Sequence, residues 1–283
     1  MSSVHPPRAA VRDAVARALA EDIGPLGDLT ASLIPIDRQV VGAIVAREEG
    51  VLAGCAAATE VFNQVDPSLV VRWQADDGQE VSPRQALARV EGPITSMLTA
   101  ERTALNFLQH LSGVASTTRR WVRATRGKAR IWDTRKTTPG LRALEKAAVR
   151  AGGGANHRGS LSDFVMVKDN HLTGLSIERA VARARLHWPG RTVEVECDTH
   201  DQVEQAVEAG ADLVLLDNMS PDEVAACVST VGGRCLVEVS GGVTIDTLRH
   251  YIDLGVDLIS AGSITNSAPV LDIGLDIEIA PEG

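Results

Sequence analysis

Aromatic residues are scarce in this chain, with four Trp, three Phe and one Tyr among 283 residues. A surface that binds nucleic acid wants stacking platforms on a basic face, and the formal net charge here is -9. Both facts argue against a nucleic-acid partner, so an anion bound by this chain should be small. Cysteine is equally thin. Cys55, Cys197, Cys227 and Cys235 form no CxxC pair, and Cys197 and Cys235 sit in apolar strand-like runs. Buried free thiols are expected, in preference to a disulfide frame or a zinc site. No uninterrupted apolar run approaches the roughly 18 residues of a membrane span, and the opening MSSVHPPRAA has no apolar signal core. The expectation is a cytoplasmic protein with no membrane partner.

Lysine is the remaining scarcity. Lys128, Lys136, Lys146 and Lys168 are the four lysines among 28 basic residues. The last three fall in DTRKTTPGLRALEKAAVRAGGGANHRGSLSDFVMVKDNH, Asp133 to His171, where seven Lys/Arg meet four Asp/Glu. Such a local inversion of charge in an acidic chain marks an anion site. Lysine is a point charge and arginine a planar fork, so retention of Lys136 and Lys168 suggests places where the fork would not serve.

What is present is a hydrophobic content of 44%, enough for a sizeable core in one large α/β unit or a barrel with a smaller companion. Val11, Val15 and Leu19 recur every four residues in a helix predicted from Arg8 to Asp22, stopped by Gly24-Pro25. From Val40 to Glu91 short β-like runs (VVGAIVARE, LVVRWQA, ALARVEG) surround one helix, Ala56 to Gln64, and read as an antiparallel sheet. Thr99 is then expected to cap a helix, TAERTALNFLQHLSG, with Leu105, Leu108 and Leu111 as its buried stripe. Arg102 lies in its first turn, off that stripe.

After Lys128 the pattern becomes regular. Strand-like runs at Ala129–Trp132, Phe164–Val167, Thr192–Val195, Leu213–Leu216, Leu236–Val239 and Leu258–Ser260 alternate with helical segments, several opening on Ser176, Thr199, Ser220-Pro221 and Thr244. Six βα units imply a parallel sheet. The polar residues that follow the strands favour a barrel over a doubly wound sheet, because a barrel gathers all strand C-termini at one mouth. They are Arg135 and Lys136, Lys168, Glu196, Asp217, Ser240 with Gly241 and Gly242, and Gly262 with Ser263. Six strands where a complete barrel has eight predict an incomplete, TIM-like barrel.

These residues make chemical sense together. The SGG and AGS turns offer backbone N–H groups to a phosphate, with a helix dipole behind Thr244, although glycines also simply permit tight turns. Glu196 and Asp217 end apolar strands, where they are costly unless they meet a cation, sugar hydroxyls, a helix end or an ion-pair partner. Ribose hydroxyls and Mg²⁺ would satisfy both. Arg135, His157, Arg158 and Lys168 would face a ligand with more than one carboxylate, although an isolated histidine is more often structural. Arg142, Lys146 and Arg150, spaced four apart, read as a solvated helix face with Glu145.

The long Asp133–His171 segment, with LTAERTALNFLQHLSGVA, VLLDNMSPDEV and EVSGGVTIDTLRHYIDLGVDLISAGSIT, resembles the quinolinate phosphoribosyltransferase family, also called carboxylating nicotinate-nucleotide pyrophosphorylases. The likeness runs in order from about residue 20 to APVLDIGLDI. It implies an N-terminal α/β sandwich over residues 1–112, an incomplete TIM-like α/β barrel over 113–268, and a C-terminal segment, 269–283, returning to the first domain. It implies a homodimer or a higher oligomer of dimers. The implied reaction joins quinolinate to phosphoribosyl pyrophosphate with Mg²⁺, giving nicotinate mononucleotide, pyrophosphate and CO₂ for NAD biosynthesis.

By resemblance, Arg135, His157, Arg158 and Lys168 hold the quinolinate carboxylates, with Arg102 reaching in from the partner subunit. Lys136 sits by phosphoribosyl pyrophosphate, Thr134 binds substrate, and Glu196 and Asp217 take the ribose hydroxyls and the magnesium pyrophosphate. The turns Ser240-Gly241-Gly242 and Ala261-Gly262-Ser263 bind the phosphate. The pyridine nitrogen attacks without a general base, and water or Lys168 supplies the proton after decarboxylation. Catalysis is expected of Lys136, Lys168, Glu196 and Asp217. One departure is Asn266, where the family commonly has histidine. Alternative readings are a barrel enzyme acting on another pyridine acid, a class I aldolase-like barrel with Lys168 as Schiff-base nucleophile, or a non-catalytic phosphate or dicarboxylate sensor.

Overall fold

Helix α1 (Arg8–Ile23) forms as its apolar spacing predicts, with Val11, Val15 and Leu19 buried and Gly24 at φ 62 ending it. The computed structural model describes residues 4–34 and 38–278. After α1 come strands β1 (Gln39–Ala46) and β2 (Gly50–Val51), helix α2 (Cys55–Val65), then β3 (Val70–Trp73), β4 (Glu80–Val81) and β5 (Ala86–Pro93). Alternate burial along β1 and β5 gives them one core face. The strand Ile273–Glu278, far along the chain, joins the same sheet antiparallel to β1, so the order is Ile273–Glu278, β1, β5, β3.

These elements belong to one of two compact units, made of residues up to Arg119, Thr137–Gly153 and those from Ile264 on. Two expectations fail in it. Helix α3 spans Ile94–Ala124, so Thr99 is inside it and caps nothing. The helix opens directly where β5 ends at Pro93, and the Thr99 hydroxyl, at 3.0 Å from each, meets the Thr95 carbonyl and Asp28 Oδ2. Its Leu105, Leu108 and Leu111 are buried as predicted.

Helix α4 (Arg142–Ala151) is the second failure, because it is no solvated face. All six residues from Leu144 to Val149 are buried, Glu145 and Lys146 among them, while Arg142 and Arg150 are half-buried. Six consecutive buried positions mean that neighbours cover the helix all round, which its charges conceal in the sequence. Glu145 Oε1 lies 2.7 Å from His110 Nε2, and the carboxylate accepts the Thr138 N–H at 3.2 Å. Arg142 Nε donates to Thr137 Oγ1 at 3.0 Å.

The second unit comprises Arg120–Lys136 and Gly154–Ser263. Its strands are β6 (Arg130–Trp132), β7 (Val165–Val167), β8 (Val193–Cys197), β9 (Leu213–Asp217), β10 (Leu236–Ser240) and β11 (Leu258–Ser260), all pairing in parallel. The order across the sheet is β6, β11, β10, β9, β8, β7. A doubly wound sheet reverses direction at a switch point; here the first strand neighbours the last and the succession is otherwise unbroken. That is barrel order, and no pairing joins β6 to β7, so the barrel is incomplete. Helices α5 (Ile177–His187), α6 (His200–Glu208) and α7 (Pro221–Val231) are capped by Ser176, Thr199 and Ser220 as expected.

After β10 the expected helix is missing. Thr244 and Thr247 bond each other in a hydroxyl turn, and only a 3₁₀ turn follows at Leu248–His250. Three 3₁₀ residues generate little dipole, so a phosphate at this turn would rest on the glycine N–H groups. A short helix α8 (Ser263–Asn266) follows β11. The four cysteines are free thiols, and Cys235, expected to be buried in a strand, is half-buried just ahead of β10. Among the described residues no helix is long and apolar enough to cross a membrane.

Candidate active site

Because the six strands of the second unit are parallel, their C-terminal ends share one edge. β8, β9 and β10 run on through Glu196, Asp217 and Ser240, so these three are fixed by strand backbone. Thr134, Arg135 and Lys136 follow β6, Lys168 follows β7, and Ala261, Gly262 and Ser263 follow β11. His157 and Arg158 come two and three residues after Ala155, which bridges in parallel to Trp132 at the end of β6. Every barrel residue predicted for the site therefore belongs to one rim. Arg102 is exposed on α3 in the other unit, and Asn266, exposed at the end of α8, holds the Ser267 hydroxyl through its Oδ1.

Two glycines explain how the rim closes up. A Cβ on Gly262 would come within 2.8 Å of Lys136 Cδ and 3.4 Å of Thr134 Oγ1, so its bare backbone makes room for the β6 loop. Gly241, at φ 81, meets Asn218, whose Oδ1 would lie 2.4 Å from a Cβ there. Asn218, itself at φ 56, donates to Asp217 Oδ2 at 2.9 Å and so orients the carboxylate that ends β9. Gly241 and Gly242 both have positive φ, which leaves consecutive backbone N–H groups at this turn.

The charges are arranged unevenly. Lys168 and Glu196 form an ion pair at the ends of β7 and β8. A Schiff-base lysine requires a free, neutral amine, so this pairing lends the aldolase reading no support. Arg158 differs from it: among the described residues it has no ion-pair partner. Its guanidinium donates to Met166 Sδ at 3.1 Å and lies 5.9 Å from the Phe164 ring centroid. Burial, and then the neighbouring Arg135, pull its pKa below the usual guanidinium value. A half-buried cation held by a thioether and an aromatic ring is prepared for an anion from outside.

His157 does not stand in the open approach its glycine-rich surroundings suggest. It is buried, its backbone N–H donates to Asp133 Oδ1 at 2.9 Å, and its ring packs against Trp132 and Phe164 at centroid distances of 5.2 and 5.0 Å. Its Nε2 lies 3.2 Å from Glu194 Oε2 and 3.7 Å from Glu238 Oε2. Both glutamates are fully buried, and burial pushes each carboxyl up to about 8. Sequence reasoning missed both. The signal was the period of two in VEVEC and LVEVS, which sets Glu194 on the face of Glu196 and Glu238 on the face of Ser240.

Comparison with known proteins agrees with this architecture. Two family models cover most of the chain: quinolinate phosphoribosyl transferase, C-terminal domain, matches residues 114–276, and the N-terminal domain of the same family matches residues 28–112. A probable nicotinate-nucleotide pyrophosphorylase (carboxylating) of Bacillus subtilis is 41% identical over 266 residues, 93% of this chain and 91% of that protein. The nicotinate-nucleotide pyrophosphorylase (carboxylating) of Mycobacterium leprae is 40% identical over 276 residues, 95% and 97% of the two chains. Among solved structures, the nicotinate-nucleotide pyrophosphorylase of Francisella tularensis superposes with a TM-score of 0.94 at 38% identity, covering 98% of this chain and 100% of its own. By sequence and by fold, the chain belongs to the quinolinate phosphoribosyltransferase family.

Proposed function

We propose that this protein transfers the phosphoribosyl group of phosphoribosyl pyrophosphate to quinolinate with decarboxylation, forming nicotinate mononucleotide, pyrophosphate and CO₂. The observation that carries this reading is Arg158, a half-buried guanidinium without an ion-pair partner among the described residues, on a rim that also bears Lys168 and two carboxylates. A pyridine dicarboxylate supplies the missing anion. Arg135, His157, Arg158 and Lys168 bind its two carboxylates, Lys168 being shared with Glu196. Thr134 and Lys136 flank phosphoribosyl pyrophosphate, and the turns Ser240-Gly241-Gly242 and Ala261-Gly262-Ser263 take its phosphate through backbone N–H groups.

Glu196 and Asp217 suit Mg²⁺, which takes oxygen ligands and is commonly held by one or two carboxylates plus substrate phosphates and waters. Both would hold the cation largely through the substrate. When bound, Mg²⁺ would neutralise charge on the departing pyrophosphate. Glu196 and Asp217 also bind ribose hydroxyls and stabilise positive charge that spreads over the ring oxygen and the anomeric carbon as the pyridine nitrogen attacks. The nitrogen lone pair is free, so no general base is needed. Holding two polyanions at attack distance against their repulsion is the main task of the cationic rim. The ribosylated nitrogen is a pyridinium and draws off the electron pair left as the adjacent carboxylate departs as CO₂. Water or Lys168 then protonates that carbon.

The protein acts in the cytoplasm as a homodimer or an oligomer of dimers, with Arg102 entering the neighbouring subunit's site. Purified protein given quinolinate, phosphoribosyl pyrophosphate and Mg²⁺ should release CO₂ and form nicotinate mononucleotide. Absence of both products overturns the reading, and tight binding of pyridine acids without turnover would point to a sensor.

A further inference from the structure

The rim residues leave unused the pair of carboxyls beneath them. Glu194 and Glu238 are on β8 and β10, two residues before Glu196 and Ser240 and on the same strand faces, so they lie one layer deeper than the rim. Both have no exposed surface, and none of their four carboxyl oxygens has a hydrogen-bond partner of good geometry. The Ser260 hydroxyl beside Glu238 is turned to Ser240 Oγ at 3.0 Å. The two carboxyls face each other and His157 Nε2, which lies 3.2 Å from Glu194 and 3.7 Å from Glu238 and is likewise without a hydrogen bond of good geometry.

Stability does not account for this arrangement. Buried carboxyls lacking hydrogen bonds are costly, and hydrocarbon of similar size is usually better tolerated there. The neighbouring strand offers the comparison, since Leu213 and Leu215 occupy its buried positions beside them. The carboxyls therefore serve the group they face. Trp132 and Phe164 fix the plane of the His157 ring, yet an imidazole can flip within its plane and exchange one edge for the other. A carboxyl, protonated or not, pairs with a ring nitrogen and not with a C–H, so the two hold Nε2 on their side and remove the flipped alternative, in which a C–H would face them.

We propose that Glu194 and Glu238 are positioning residues acting through His157: they hold the imidazole with its Nε2 turned into the barrel, and so set the ring beside Arg158 before quinolinate arrives. This role rests on the phosphoribosyl-transfer reading above. Neither glutamate touches a substrate; each shapes the quinolinate side of the site and leaves the phosphoribosyl side alone.

The test is a kinetic cycle with Glu194→Leu, His157→Asn and the double variant, each against wild type. Glu194→Leu should raise the KM for quinolinate roughly tenfold or more, on the scale of one hydrogen bond to a charged group. The KM for phosphoribosyl pyrophosphate should stay within about twofold, since nothing on that side changes. Thermal stability should hold or rise. In the His157→Asn background, Glu194→Leu should add nothing further, because the two act as one unit. Equal loss on both substrates with lowered thermal stability, or fully additive effects, would overturn the role. Should Glu194→Leu fail to fold, Glu194→Gln keeps the length and one acceptor oxygen. It should retain most of the quinolinate affinity alone and, in the His157→Asn background, change nothing; an additive loss counts against the proposal. Wild-type turnover separates the two claims: an inactive wild type overturns the reaction and this role with it, whereas an active wild type with an unaffected Glu194→Leu overturns the role alone.

Discussion

Arg158 and Gly262 are the residues on which the two sides of the rim depend. Arg158 has burial without an ion-pair partner among the described residues, so removing it deletes binding and leaves no carboxylate behind. Arg158→Ala should raise the quinolinate KM roughly 10- to 100-fold, the equivalent of about 1.5–3 kcal/mol for a charged hydrogen bond, with little change for phosphoribosyl pyrophosphate. Arg158→Lys should recover only part of this, because an ammonium lacks the fork. Steady-state kinetics on both substrates decide it. Gly262 acts through space: an alanine Cβ would stand 2.8 Å from Lys136 Cδ, a flexible chain that yields more easily than backbone. Gly262→Ala should therefore raise the KM for phosphoribosyl pyrophosphate while leaving the thermal midpoint nearly unchanged. An unaltered KM would mean that Lys136 is positioned by other contacts.

At the scale of elements, the sequence is legible wherever one face of an element is apolar and its ends carry a strong signal. The stripe of α1, the caps of α5, α6 and α7, and all six barrel strands were readable for that reason. Thr99, α4 and Thr244 misled because a threonine or a run of charges reads the same in a cap, a mid-helix hydrogen bond or a buried network. Glu145 shows what the charges of α4 conceal: a fully buried carboxylate joining His110 to the Thr138 N–H, next to the loop that follows Arg135 and Lys136. Glu145→Leu should lower the free energy of unfolding by about 1–3 kcal/mol through the partners left unsatisfied, read from urea titrations.

The acid side has its own element-level signature at the start of α3. Hydrogen bonds from the Ser96 and Ser68 hydroxyls hold the Asp66 carboxyl below its ordinary value of 3.8. A depressed folded-state value stabilises the fold above the unfolded value, and this contribution is lost as pH falls through the folded one. Acidification below pH 3.8 should thus weaken wild type more steeply than Asp66→Asn. Parallel acid profiles would contradict that anchor.

For the whole molecule, the parallel order from β7 through β11 to β6 brings residues spread from Thr134 to Ser263 to one rim. The convergence of Glu194 and Glu238 on one imidazole was illegible, because it requires the register of β8, β9 and β10, although their strand faces were readable. If Arg102 enters a neighbouring subunit's site, Arg102→Ala and Lys136→Ala proteins, each nearly inactive, should complement on mixing. Random exchange in a dimer leaves one intact site per hybrid, so activity should approach about a quarter of wild type. No recovery after verified subunit exchange would contradict a shared site. Coupling of phosphoribosyl transfer to decarboxylation is read most directly from the fate of quinolinate labelled separately in its 2- and 3-carboxyl carbons. Coupled chemistry gives one CO₂ per pyrophosphate, released from the 2-carboxyl only and only with phosphoribosyl pyrophosphate present, and no turnover of nicotinate; pyrophosphate without CO₂, or equal use of nicotinate, would contradict it.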